Sequence, residues 1–216
     1  MSFDRLAPHY RWMETVLAGN LLQRCRTRWL SEATSARRAL LAGEGHGRML
    51  EACADALPGC EFTVLDSSAG MIDQARRRCR TRSCEHHTTF IVADLRDGPP
   101  AEGMFDLVVT NFFLDCFAPD ELARVIHNLG AAAAPTATWL LSDFTTPRAG
   151  WRRLRARMVL ALAYGFFRAA TGISARRITS PDEGLRAAGF TLGGRDEFNH
   201  GLLRADVWRR VDLNTV

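Results

Sequence analysis

Between residues 36 and 144 a short apolar run is followed, five times over, by a turn and a helical or helix-like segment. ARRALLA leads into GEGHG and the helix RMLEACADAL, and CEFTVLDSS ends near Asp66 before a helix through AGMIDQARRRCR. TTFIVADL carries Asp94 at its end, FDLVVTNFFLDCF precedes the helical PDELARVIHNLGAAA, and TATWLLSDF ends near Asp143. Such alternation implies an α/β protein with a mostly parallel sheet, because parallel strands need crossovers and right-handed crossovers put helices on both faces. The chain ends differently. FTLGGRDEF and GLLRADVWRRV read as two strands joined by a turn around Asn199–Gly201, an antiparallel addition. Residues 1–35 read as an amphipathic helical cap, with Trp12, Val16, Leu17, Leu21 and Leu22 apolar between arginines. Residues 36–216 then form one domain, an expectation that suits a chain of 216 residues.

Composition narrows the chemistry. All 28 basic residues are arginine, so Schiff-base catalysis, a pyridoxal-phosphate anchor and a P-loop lysine are excluded. The apolar fraction of 47% and charged fraction of 24% are those of a globular protein. The six cysteines (25, 53, 60, 79, 84 and 116) form no CxxC pair, and MSFDRLAPHYRW has no apolar core of a signal peptide. Together these favour reduced thiols and a cytoplasmic location. MVLALAYGFF, the longest apolar run, is about half the ~20 residues of a membrane span. Cys79, Cys84, His86 and His87 follow no zinc spacing and read as a solvated loop, so no metal site is expected.

The turn Gly43-Glu44-Gly45-His46-Gly47 ends a strand and opens a helix. Glycine lets a ligand approach the main chain, and the helix start presents N–H groups with a positive dipole end. Asp66 follows Gly47 by 19 residues, near the ~20-residue offset of a carboxylate that accepts ribose hydroxyls. A dinucleotide reading fails on Arg48, which stands where that fingerprint wants glycine or alanine, and on the room 216 residues leave for a second half. Asp94 adds a carboxylate on the same edge, suited to an adenine amino group.

At LLAGEGHGR, VLD with SSAGM, VADL and FDLVVTNFFLDCF the chain resembles the class I S-adenosylmethionine-dependent methyltransferases of small molecules. The resemblance covers roughly residues 36–216. It implies a Rossmann-like, doubly wound, seven-stranded sheet, mostly parallel with one antiparallel strand near the C-terminus, and S-adenosylmethionine as cofactor. It places Gly43, Gly45 and Gly47 along the methionine moiety, Asp66 at the ribose, Met71 against adenine and Asp94 at its amino group, with Ser67 and Leu95 also at the cofactor. Many members carry an acid two positions before the first glycine, where this chain has Leu41. The methionine amino group is therefore left to Glu44, a backbone carbonyl, Thr110 or Asn111. Tyr10, in a segment similar to the entry segment of related enzymes, is expected near the methionine end.

Methyl transfer from a sulfonium mainly needs alignment and exclusion of water, with a base only when the acceptor must lose a proton. Asp115, beyond the fourth strand, and Asp143, ending the fifth, are the candidate catalytic residues; each has the competing role of helix cap or arginine partner. His127 reads as a helix-surface residue and His200 as a solvated hairpin residue. Phe112, Phe113 and Phe117 read either as an aromatic wall facing the sulfonium or as core.

Residues 144–181 contain eight arginines and no acid, so the 20 other arginines face 24 acids and the remainder is formally −4. The net charge of +4 therefore comes from one segment, which argues against a general nucleic-acid surface. Within it, 145–180 reads as a lid over a small, lipophilic acceptor, competing with a plain packed helix and with peripheral contact to an anionic membrane through 148–177. A non-catalytic S-adenosylmethionine-binding regulatory or accessory protein is the alternative function. The motifs leave open the oligomeric state and whether O, N, S or C is methylated.

Overall fold

A computed structural model describes residues 20–82, 84–100, 105–147, 150, 151, 154 and 178–210. Its centre is a seven-stranded sheet of β1 (Arg38–Ala42), β2 (Glu61–Asp66), β3 (Thr88–Val92), β4 (Phe105–Asn111), β5 (Ala133–Phe144), β6 (Phe190–Phe198) and β7 (Leu203–Arg210). The spatial order is β3-β2-β1-β4-β5-β7-β6. The first five strands pair in parallel, and β7 runs antiparallel between β5 and β6. This is the mostly parallel, doubly wound sheet implied by the sequence, with one antiparallel strand.

The helices are α1 (Asn20–Thr27), α2 (Arg48–Ala56), α3 (Ala69–Arg80), α4 (Pro119–Ala132) and α5 (Asp182–Ala187). Each α/β boundary has a local cause. Ser68 accepts from the Met71 N–H at 3.2 Å to start α3, and Arg77, Arg78 and Arg80 occupy its last turn, where the dipole favours cations. Pro119 opens α4, and Glu121 accepts from the Ala118 N–H at 3.2 Å. β5 begins at Ala133, three residues before the run TATWLLSDF, because Pro135 cannot continue α4 and disfavours helical backbone at Ala134. β4 stops at Asn111 because Phe112 turns to a φ of 53°.

Successive strand residues face opposite layers. Leu40, Val108, Trp139 and Leu141 pack with α4, Phe190 and Trp208 on one side. Leu41, Val64, Val109 and Leu140 pack with Met49, Leu50 and Ile72 of α2 and α3 on the other.

One expectation is corrected. Cys79 and Cys84 form a disulfide with a Cα–Cα distance of 5.3 Å, and both are buried. The end of α3 folds back so that the Cys84 N–H donates to the Cys79 carbonyl at 3.2 Å, which brings the two side chains together under the turn. His86 and His87 are exposed, as a solvated loop requires. Cys25, Cys53, Cys60 and Cys116 are free thiols. Among the described residues no helix is long and apolar enough to cross a membrane.

The antiparallel end of the sheet holds a buried ionic network. Asp206, fully inaccessible, accepts from Arg195 Nε and Nη2 at 2.7 Å each and from Trp208 Nε1 at 3.3 Å. Asp182, at the start of α5, accepts from Arg195 at 2.9 Å and Arg204 at 2.6 Å. Burial works to raise the Asp182 carboxyl, but the two arginines outweigh it and hold it at about 2. Removing one member strands the others' charge in a dry environment. Asp206→Ala is expected to lower unfolding free energy by about 3–5 kcal/mol, measured by urea denaturation; a loss within about 0.5 kcal/mol would show that water replaces the carboxylate.

Candidate active site

An open cleft with a cavity volume of about 80 Å³ runs along the carboxyl edge of the sheet. It crosses the ends of four neighbouring strands: Asp94, Leu95 and Arg96 beyond β3, Asp66 and Ser67 at β2, Gly43–His46 after β1, and Asn111–Phe113 after β4. The polypeptide feeds β1 and β4 from opposite directions, so the crevice opens between them.

The three glycines have separate tasks. All have positive φ, at 64°, 65° and 90°. A Cβ on Gly43 would lie 2.0 Å from the Phe113 ring, and one on Gly47 2.9 Å from the Ala75 Cα, so both serve close packing. A Cβ on Gly45 would meet nothing nearer than Met71 Sδ at 4.0 Å. Gly43 and Gly45 line the cleft; Gly47 lies behind it as the residue from which α2 starts.

Asp66 ties this turn to the next strand. Its Oδ2 accepts from the Gly45 N–H at 3.0 Å and its Oδ1 from the Ser68 N–H at 2.9 Å. Glu44 acts at the start of α2, where Oε1 accepts from the Met49 and Leu50 N–H groups at 2.8 and 3.1 Å. Burial pushes the Glu44 carboxyl up to about 7, against those N–H groups and Arg26. Asp94 is clamped by Arg96, whose Nε lies 3.0 Å from both carboxylate oxygens and whose Nη1 reaches Glu121 at 2.8 Å. That clamp holds Asp94 below the usual carboxylate range.

Met71 and Leu95 are buried cleft residues, and the Leu95 carbonyl accepts from Asn128 Nδ2 at 2.7 Å. Thr110 is turned away from the cleft, where its hydroxyl accepts from Trp139 Nε1 at 2.9 Å. Asn111 lines the cleft, and neither atom of its buried amide has a hydrogen-bond partner among the described residues. Tyr10 lies outside the described residues, as does nearly all of 145–180; Trp151 and Leu154 within it are about two-thirds exposed.

Asp115 and Asp143 come together. Asp115 lies in a 3-10 turn, Leu114–Cys116, and Asp143 near the end of β5; both are buried. Burial and then the charge and hydrogen bond of Asp115 push Asp143 well above the usual carboxylate range. Arg204, paired with Asp143 in the β5–β7 register, opposes that shift. Phe112, Phe113, Phe117 and Cys116 line the adjoining wall. Phe113 and Phe117 meet edge to face at 4.9 Å, and Phe112 contacts Phe144 at 5.3 Å. His127 and His200 are exposed.

Several cleft residues carry no role in the sequence pattern, among them the two cations Arg26 and Arg96. Arg96, two residues after Asp94, carries a local signal, since a turn brings such neighbours together. Arg26 carries none, being one of several arginines in its segment.

Fold and cleft together define a nucleotide-cofactor-binding α/β protein whose ligand crosses the topological switch point. Residues 39–136 match the model of the methyltransferase domain family. The chain is 31% identical over 159 residues to malonyl-[acyl-carrier protein] O-methyltransferase of Enterobacter lignolyticus (strain SCF1), covering 71% of this chain and 58% of that protein. Among solved structures, an O-methyltransferase family protein from Burkholderia thailandensis superposes with a TM-score of 0.75 at 17% identity, over 96% of this chain and 60% of that one. Mitomycin 7-O-methyltransferase gives 0.72 at 19%, over 98% and 61%. The chain spans about three-fifths of the length of these relatives. Residues 39–136 carry a methyltransferase domain of the class I S-adenosylmethionine-dependent kind, and S-adenosylmethionine is the cofactor that this implies.

The residues present fit that cofactor. Gly45 leaves the main chain open, Asp66 sets a carboxylate beside it, and the orphaned amide of Asn111 lacks what a polar ligand supplies.

Glu44 generates a pH prediction. Its carboxyl rises from 4.5 to about 7, so its contribution to stability is full below 4.5 and is lost as pH rises through about 7. Glu44→Gln does not titrate. The melting temperature of the variant minus that of the parent should become more positive between ~pH 5 and ~pH 8. A flat difference would show that Glu44 ionises normally.

Proposed function

We propose that the protein moves a methyl group from S-adenosylmethionine to the oxygen of a small, lipophilic acceptor, with the Asp115–Asp143 pair taking the acceptor's proton. The observation that carries this reading is the buried Asp115–Asp143 pair, which does not itself line the cleft but adjoins its aromatic wall at Cys116. A module that only binds the cofactor has no need of it.

When bound, the cofactor supplies a methyl group on a positively charged sulfur, which departs with the bonding electrons as the new O–C bond forms. The chain's residues do the rest. Asp66 and Ser67 hold the ribose, Met71 and Leu95 flank the adenine, and Gly43 and Gly45 admit the methionine portion to the main chain. The Arg96–Asp94 clamp leaves the Asp94 region to bind adenine with a carboxylate already neutralised. Asn111 supplies an amide at the methionine end. Phe112, Phe113 and Phe117 keep water from the transfer point and favour an apolar acceptor body. The carboxyl pair, starting with one proton and one negative charge, takes the hydroxyl proton and ends with both carboxyls neutral. The O-methyltransferase names of the relatives support oxygen as the methylated atom. Residues 145–180 are the lid in this reading.

Titration calorimetry with S-adenosylmethionine and S-adenosylhomocysteine tests the cofactor, and failure of the folded protein to bind either would sink the reading. Asp66→Ala should weaken both by at least ~10-fold. Asp115→Asn should leave affinity within ~2-fold and cut turnover by ~10²–10⁴-fold, read as S-adenosylhomocysteine release over a panel of small phenols and alcohols. Unchanged turnover would remove the carboxyl pair from the chemistry.

A further inference from the structure

We infer that Phe113 gates the cleft: its ring lies on Gly43, where the cofactor's amino-acid portion must approach the main chain, and binding requires that ring to swing aside. The inference rests on the cofactor reading above and adds an admission step to it. The glycine turn shows the obstruction. A Cβ built on Gly43 would stand 2.0, 2.4 and 2.7 Å from three atoms of the Phe113 ring, so the ring is seated against the backbone itself. At Gly45, which also lines the cleft, the nearest atom would be 4.0 Å away. One surface of Gly43 cannot receive both an aromatic ring and a ligand.

The size of the cleft agrees. Its volume is about 80 Å³, whereas pockets that enclose a small-molecule ligand hold roughly 300–1,000 Å³. Phe113 is the aromatic residue placed to change this. Phe117 is buried in the core, and Phe112 packs with Phe144 in a different layer. Phe113 is half-buried between core and cleft, and meets Phe117 edge to face at 4.9 Å. The residue before it supplies a fixed pivot. The Phe112 N–H donates to the Ser142 carbonyl at 2.7 Å, its ring lies 5.3 Å from that of Phe144, and the Arg26 guanidinium carbon stands 5.1 Å from its centroid. These contacts hold Phe112 at a φ of 53°, a left-handed conformation that a bulky side chain keeps only under such constraint. A rigid, strained residue followed by a ring leaning on a glycine lets the ring turn without disturbing β4.

A gate lowers apparent affinity by the fraction of molecules that stand open, so removing it tightens binding. The test compares S-adenosylhomocysteine with 5′-methylthioadenosine, which keeps the nucleoside and thioether but lacks the amino-acid group. By calorimetry on the full chain, Phe113→Ala should tighten S-adenosylhomocysteine by ~10-fold and leave 5′-methylthioadenosine within ~2-fold. Stopped-flow should show the gain in the association rate, with dissociation within ~2-fold. Phe113→Leu, which keeps an apolar side chain of smaller reach, should give part of the gain and guards against a folding defect in the first variant. Unchanged or weakened S-adenosylhomocysteine binding would make the ring a bystander or a contact and overturn the inference. Equal tightening of both ligands would overturn it too, since the ring would then obstruct the nucleoside side. In these cases the cofactor reading stands, because the parent protein binds. Failure of parent and folded variants alike to bind either ligand overturns that reading and the inference together.

Discussion

The strand order around β1 is the constraint from which the site follows. β1 lies between β2 and β4, and the chain leaves it toward β2 yet returns to β4 on the other side. Two crossovers departing in opposite directions leave the carboxyl ends of these strands uncovered between them, and a ligand crevice is the geometric result. The Gly43–Gly47 turn is what the chain needs there, since it must pass from β1 into α2 without filling the crevice. Gly43 N–H still donates to the Leu65 carbonyl at 2.8 Å, carrying the β1–β2 ladder into the turn. The Asp66 bond to the Gly45 N–H then fixes the turn against β2 before any ligand arrives.

Five carboxyl groups crowd this edge, and the structure keeps them from repelling one another by different means. Asp66 is bonded to backbone N–H groups, Glu44 caps a helix, and Asp94 is clamped by an arginine. Asp143 is pushed well above the usual range by burial and by Asp115. The differences order the cleft. At the β3 end, charge is neutralised by fixed cations and changes little with pH. Toward β4 and β5, burial and a neighbouring carboxyl favour the neutral form of Asp143.

Strand-helix alternation, the glycine turn, Asp66 and Asp94 were legible in the sequence because each rests on local spacing: period two in the strands, unusual dihedrals in the turn, and strand ends that meet at one edge. The antiparallel hairpin was legible for the same reason. Thr110 shows where local reasoning stops, since alternate strand residues face opposite layers and its hydroxyl belongs to Trp139, 29 residues on. The Cys79–Cys84 bond depended on how sharply the chain folds back after α3, which composition does not encode. Arg26 needed the docking of α1 onto β5 and β7, a contact across some 179 residues of sequence at Cys25 and Arg204.

That docking separates the two halves of the site by origin. The segment matched by the methyltransferase domain model, 39–136, contains the glycine turn, Asp66, Met71, Asp94 and Asn111, and so most of the cleft lining. Asp143, its neighbour Arg204, and Arg26 all lie outside it, on β5, β7 and α1. Asp115 is the exception, reaching across from the matched segment to Asp143. The half that would meet the acceptor is thus built by pieces joined only through tertiary contacts: α1 held to β7, β7 paired with β5, and the Asp182–Arg204–Arg195–Asp206 network stiffening the hairpin behind them. A change in that hairpin can move β5, β7 and α1 while leaving the Asp66–Gly45 tie untouched, so the β2–β1 end of the cleft and its β4–β5 end rest on separate supports.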